Sequence, residues 1–188
     1  GHVAYRAPSA EAVDYYLTSG FAQTGERYWL ADEVPAEAAP FRPLALRVRN
    51  PQGTIADTIR SIEPFTIEME YQLDAPITGL RVGLYMLSTH GDHIFSSFDT
   101  DNADEYNQYV MRPTGRYVSR CSIPADLLND GRYILGVNAS TFRVRRYFQD
   151  EYALSFTVDS TGAPGMHWVE VRHGPIRPRL DWRIEDIA

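Results

Sequence analysis

Thr66-Ile67-Glu68-Met69-Glu70-Tyr71-Gln72-Leu73-Asp74 decides how this chain folds. Ile67, Met69, Tyr71 and Leu73 take every second position, with Glu68, Glu70 and Gln72 between them. A β-strand sends successive side chains to opposite faces, so the alternation predicts one face on a core and one in water, as in an antiparallel sandwich. Residues 80–88 repeat the pattern: Leu80, Val82, Leu84 and Met86 turn one way, which turns Arg81 and Tyr85 the other. Leu44, Leu46 and Val48 alternate with Ala45, Arg47 and Arg49 ahead of an Asn50-Pro51-Gln52-Gly53 turn. Further strands are predicted at 93–98, 117–123, 133–139, 152–158 and 167–172, with a helical turn at 124–129. Strands about ten residues apart, separated by Gly, Pro and Asn turns, define an all-β antiparallel sandwich or jelly roll.

Outside this pattern, residues 8–17 read as a short N-terminal helix capped by Ser9 and stopped by Gly20. Residues 21–40 show no period and read as a linker or as extended chain lying on the domain. The expected division is residues 1–5 as cloning remnant and linker, 6–40 as short helix and linker, and 41–188 as the sandwich with a C-terminal tail strand. Gly1-His2 suggests a domain cut from a longer protein.

The 188 residues carry a net charge of −7, which argues against nucleic acid as a partner and against simple docking on anionic lipid. All 18 basic residues are Arg. That fits a genome-wide codon bias, or a surface of guanidinium forks that grip planar or hydroxyl-rich ligands. The single cysteine, Cys121, excludes an intrachain disulfide and falls in a strand, where a buried thiol is expected. No apolar run approaches the roughly 20 residues of a membrane helix.

No phosphate-binding glycine loop, zinc-protease motif or nucleophile elbow occurs. The densest polar stretch runs through His90, Asp92 and His93 to Asp99, Asp101, Asn102, Asp104 and Glu105. As a calcium loop it fails, because Ala103 stands where an oxygen ligand belongs. As a glycosidase it would use Asp99, Asp101 or Glu105 across a cleft. As a solvated loop its Asp and Asn side chains cap turns. His90 and His93 read either as metal ligands or as exposed hairpin residues; no metal and no cofactor is expected.

Binding chemistry is sought instead on the outward faces of strands. Strand parity places Arg81 and Tyr85 outward on one strand and Asn138 outward on another, beside Ile134 and Gly136. A ring that stacks on apolar C–H faces beside groups that pair with hydroxyls is what a sugar requires. The alternative is a face covered by the linker, the tail or a partner chain. Arg143, Arg145, Arg146, Tyr147 and Phe148 form a basic-aromatic loop suited to an anion or a hydroxylated ligand, or to pairing with the acidic loop. In the tail, Trp182, with Leu180 beside it, is expected to anchor on its own domain or on a second copy.

A set of stretches along the chain is distinctive in combination: Ala12-Val-Asp-Tyr-Tyr-Leu17, Leu46-Arg-Val-Arg-Asn-Pro-Gln-Gly53, Pro64-Phe-Thr-Ile-Glu-Met-Glu-Tyr71, Gly79-Leu-Arg-Val-Gly-Leu-Tyr85 and Gly91-Asp-His-Ile-Phe95. Ile123-Pro-Ala-Asp-Leu-Leu-Asn-Asp-Gly-Arg-Tyr133, Leu154-Ser-Phe-Thr-Val158 and Gly174-Pro-Ile-Arg-Pro-Arg-Leu-Asp-Trp182 follow. On these stretches the chain resembles, from about Tyr15 to Trp182, the C-terminal carbohydrate-binding domain of Wzt-type ABC-transporter ATPase subunits. The resemblance implies an immunoglobulin-like sandwich and a homodimer in which C-terminal strands can exchange. It also implies recognition of an O-antigen-like bacterial polysaccharide at the cytoplasmic face of the inner membrane. The nucleotide-binding domain would lie upstream, and the parent protein would engage a transmembrane permease. Family ligand contacts vary with the glycan, so Arg81, Tyr85, Asn138, Arg145 and Tyr147 are candidates from the residues alone. The rival readings are a protein-assembly sandwich and the glycosidase.

Overall fold

A computed structural model describes residues 24–163, 165 and 172–187. The predicted helix at 8–17 and nearly all of the predicted strand at 167–172 lie outside the described residues. Eleven strands follow one another among the described residues: β1 Glu26–Tyr28, β2 Phe41–Arg49, β3 Thr58–Arg60, β4 Phe65–Leu73, β5 Ile77–Thr78, β6 Leu80–Ser88, β7 His93–Phe98, β8 Met111–Arg112, β9 Gly115–Ile123, β10 Gly131–Thr141 and β11 Arg145–Asp159. They form a four-stranded sheet ordered β1-β2-β4-β9, a five-stranded sheet ordered β3-β11-β10-β6-β7, and a small β5-β8 pair. Every pairing is antiparallel except β11 with β3.

The alternation of β4 is realised on its inner side. Ile67, Met69, Tyr71 and Leu73 pack with Leu46 and Val48 of β2 against Leu80, Val82, Leu84 and Met86 of β6 and Leu135, Val137, Leu154 and Phe156 of β10 and β11. Non-directional burial of these side chains between two sheets is the main term holding the fold. Phe41, Tyr71 and Tyr117 stack in series within this core, with ring centroids 5.0 and 5.6 Å apart.

The outer side of β4 departs from expectation. Glu68 and Glu70 are only 5% and 7% exposed, covered by arginines that themselves reach water, Arg116 at 66% and Arg120 at 61%. Arg49 Nε and Arg120 Nε donate to Glu68 at 2.5 and 2.8 Å. Arg47 donates to Glu70 at 2.7 Å and Arg116 Nε does so at 2.5 Å. Burial works to raise both carboxyls; the flanking guanidiniums outweigh it and hold both below the ordinary glutamate range.

Of the two readings of 21–40, residues 24–40 take the second, chain lying on the domain: β1 pairs with β2 and Trp29 is buried, its indole donating to Asp150 at 3.0 Å. Three other expectations are corrected. The polar loop 99–113 contains a 3-10 turn at Asp99–Asp101 and a helix, α1 Ala103–Gln108, whose first turn is capped by the Asn102 side chain accepting from the Glu105 amide. The predicted helical turn at 124–129 is an open turn with Asp126 at φ 58°, its amide bonded to the Ser61 carbonyl. The basic-aromatic loop is largely strand: β11 begins at Arg145, and Arg143 at φ 57° makes the tight turn before it.

The tail runs as extended chain after Gly174. Asn129 Nδ2 donates to the carbonyls of Arg172 and Gly174 at 2.7 and 2.8 Å, and Leu128 bridges Ile176. The Tyr133 hydroxyl donates to the Pro175 carbonyl, and burial pushes that phenol up to about 12. Beyond this anchor Leu180 is 65% exposed and Trp182 is 85% exposed, so Trp182 does not anchor the tail on its own domain.

Candidate functional site

Antiparallel register assembles the outer face of the five-stranded sheet from separated stretches. Gly83 of β6 lies opposite Asn138 of β10 and Phe98 of β7, and Arg81 lies opposite Ser140. Gly83 has no room for a Cβ, because the Phe98 ring folds directly over it. The Arg81 guanidinium then lies 4.5 Å from the Phe98 centroid and 4.8 Å from that of Phe142 in the β10–β11 turn. Arg81 Nε donates to Ser140 Oγ at 3.2 Å, and Ser140 donates to Asn138 Oδ1 at 2.9 Å. Tyr85 continues the aromatic row, edge-on to Phe98 at 6.4 Å and to His93 at 5.5 Å.

Arg81, Tyr85 and Asn138 therefore share one face, as strand parity predicted. Asn138 is more enclosed than expected, at 6% exposure, under the Arg81–Ser140 pair. Strand β11 adds Arg146 and Gln149, joined by a hydrogen bond, and Glu151, which accepts from Gln149 at 2.6 Å. Burial raises the Tyr85 phenol, with Glu151 acting the same way and Arg146 and Arg81 opposing. Phe98, Phe142 and Gln149 went unread in sequence because only register brings them beside Arg81; Arg146 was read as part of the basic-aromatic loop, not as a neighbour of Arg81.

Arg145 and Tyr147 sit apart from this row. Arg145 lies 4.9 Å over the Tyr147 ring and donates to the carbonyls of Glu37 and Ala39 at 2.7 and 2.9 Å. Tyr147 packs against the main core with its hydroxyl 3.3 Å from Thr141 Oγ1. The acidic stretch is divided as well. Asp99 is drawn inside, bonded to the buried Arg112 at 2.6 Å, and burial raises its carboxyl. Asp101 accepts from Ser97 Oγ and from the Phe98 amide. No group of three or more His, Cys, Asp and Glu side chains among the described residues is arranged to hold a metal ion. His93 faces Tyr85 instead.

A cleft of about 920 Å³ opens elsewhere, between β9 and the β6–β7 edge. Tyr117, Ser119 and Cys121 line one wall, Val82 and Leu84 the other, and Tyr106 and Tyr109 of the α1 region the rim. Its deep polar groups satisfy one another: Arg112 donates to Tyr71 Oη at 2.6 Å as well as to Asp99. Cys121 lies here half-buried, and burial pushes its thiol up, which leaves it an unreactive wall residue.

Two sheets packed face to face around one core define the class: a β-sandwich. The family model described as the Wzt C-terminal domain matches residues 44–169, and the chain belongs to that family. This is a non-catalytic domain of an ABC transporter associated with polysaccharide export, with the ATPase in a separate domain. Among solved structures, the crystal structure of the C-terminal domain of Wzt superposes with a TM-score of 0.60 at 10% identity, covering 78% of this chain and 84% of that one. The solution structure of the CARDB domain of PF1109 from Pyrococcus furiosus reaches only 0.35 at 10% identity, over 64% and 94% of the two chains, and bears no argument. No curated protein matches the chain.

Proposed function

We propose that this domain is a carbohydrate-binding module that recognises an O-antigen-like polysaccharide for ABC-transporter export. It would act at the cytoplasmic face of the inner membrane as part of a transporter whose permease is a separate subunit. The observation that carries the reading is the row Phe142, Arg81, Phe98 and Tyr85, with Asn138, Ser140 and Gln149 alongside. Rings supply stacking surfaces for sugar C–H faces, and the amides and guanidiniums address hydroxyls. The cleft is the weaker site because its deep polar groups are already paired with each other.

Each sugar contributes little affinity, so two copies of the module on one polymer gain by avidity. The exposed Leu180 and Trp182 of the tail are the surface proposed to meet the second copy. Titration with bacterial polysaccharide fragments, followed by amide NMR, tests the reading. Shifts are expected at Arg81, Tyr85 and Asn138, and Tyr85→Ala is expected to weaken binding about tenfold with the dimer intact. Loss of the dimer with unchanged glycan binding would instead assign the face to protein assembly. Shifts confined to Tyr106, Tyr109 and Tyr117 would move the site to the cleft.

A further inference from the structure

Two groups of arginines on the outer faces differ in their partners. Arg47, Arg49, Arg116 and Arg120 on the four-stranded sheet each hold a carboxylate within 4.0 Å, and so does Arg112 inside. Around the proposed glycan face, Arg81, Arg143 and Arg146 hold no carboxylate within that distance among the described residues. Arg81 is bonded to a serine hydroxyl, Arg146 to an amide oxygen, and Arg143 lies 5.1 Å from the Phe142 ring centroid. The acid of the row, Glu151, accepts from Gln149 rather than from a guanidinium.

Three cations with neutral partners thus surround exposed Phe142 and half-buried Tyr85, on a chain whose net charge is −7. Asn138 Oδ1 is already occupied by Ser140, so the face offers more donors than acceptors. A guanidinium fork matches a carboxylate or phosphate with two parallel hydrogen bonds, and such charge-assisted bonds are roughly twice as strong as neutral ones. Neutral sugar hydroxyls, which donate as readily as they accept, leave that capacity unused.

We infer that the ligand of this face is an acidic glycan, one that carries carboxylate or phosphate substituents, with Arg81, Arg143 and Arg146 as the anion-reading residues. The inference rests on the glycan reading above. It makes Arg143 and Arg146 specificity determinants and Phe142, Phe98 and Tyr85 the stacking surface common to any sugar.

The test compares three size-matched probes by calorimetry and amide NMR at about 50 mM salt: a neutral mannan oligosaccharide, an oligogalacturonate, and a phosphorylated mannan oligosaccharide. At least one acidic probe is expected to bind tenfold or more tightly than the neutral one, and raising the salt should erode that advantage. In the Arg143→Gln, Arg146→Gln double variant the acidic advantage should shrink severalfold, to the part that Arg81 carries, and an undiminished advantage overturns the assignment to these two residues. Both side chains are exposed, so the fold should tolerate the change. Equal or tighter binding of the neutral probe at the same face overturns the inference and leaves the glycan reading standing. Absence of shifts at this face with all three probes overturns both. Equal binding of polyglutamate would overturn glycan specificity, leaving a site for negative charge alone.

Discussion

The two outer faces of this sandwich spend the same side chain in opposite ways. On the four-stranded sheet, Glu68 and Glu70 lie in a lattice with Arg47, Arg49, Arg116 and Arg120, contributed by the strands on either side of β4. On the five-stranded sheet, Arg81, Arg143 and Arg146 meet rings, a hydroxyl and an amide. Charge satisfied within the chain contributes to the fold and leaves little for a ligand. Charge left with neutral partners contributes little to the fold and stays open to a ligand. The contrast explains how an acidic protein can present a locally cationic face, the one proposed to bind glycan.

The largest effect that would break this contrast is on stability. Glu70→Ala removes the shared acceptor of Arg47 and Arg116, and is expected to cost about 1–3 kcal/mol, the cost of leaving polar groups without partners. Urea unfolding reads it directly. The upper end of the buried-pair range does not apply, since Arg116 is 66% exposed and water re-solvates it. Arg146→Gln, the matching change on the other face, should stay within about 0.5 kcal/mol.

Gly83→Ala comes next and attacks the recognition face without touching charge. The new methyl occupies the space of the Phe98 ring, which must swing away and take the Arg81 platform with it. Overpacking of this kind costs about 1–3 kcal/mol, and glycan affinity should fall with it. A variant that unfolds more easily yet keeps full binding would show that Phe98 is not part of the site.

The pH dependence of stability separates the faces further. Glu68 and Glu70 have folded values below their ordinary 4.5, so their contribution is present above that pH and is lost as pH falls through the folded values. Stability should therefore drop below about pH 4.5, and Glu68→Gln should flatten that limb. Asp99 acts with the opposite sign, since burial raises it and its protonation occurs earlier in the folded state. A limb unchanged in Glu68→Gln would mean that the Glu68 pairs contribute nothing net.

Both faces were partly legible in the sequence, and the same physical limit stopped the reading of each. Strand parity is local, so alternation in β4 and β6 correctly turned Glu68, Glu70, Arg81 and Tyr85 outward. Whether an outward residue is wet depends on what register sets beside it. Glu68 lies opposite Arg47 on one side and Arg120 on the other, about 20 and 50 positions away in the chain. Phe98 and Phe142 join Arg81 in the same manner, from β7 and from the β10–β11 turn. The helix α1 was missed for a different reason: at six residues it is too short to show a period, although Asn102 ahead of Asp104 and Glu105 carried the cap signal.

Salt provides the smallest and most selective probe of the contrast. Partly buried ion pairs are screened weakly, whereas exposed cations at the β10–β11 turn are screened within a Debye length of about 8 Å at physiological ionic strength. Raising salt from about 50 to 500 mM should therefore change the unfolding midpoint little, and the Glu70 lattice should keep its Arg47 arm, whose side chain is 14% exposed. Affinity for an acidic glycan should fall several-fold over the same range, and the fall should shrink in Arg143→Gln because one exposed cation no longer takes part. A salt response that is equal in wild type and Arg143→Gln would place the anion contact with Arg81 and Arg146 alone. The site would then contract to the sheet, with the turn left as a stacking surface for Phe142.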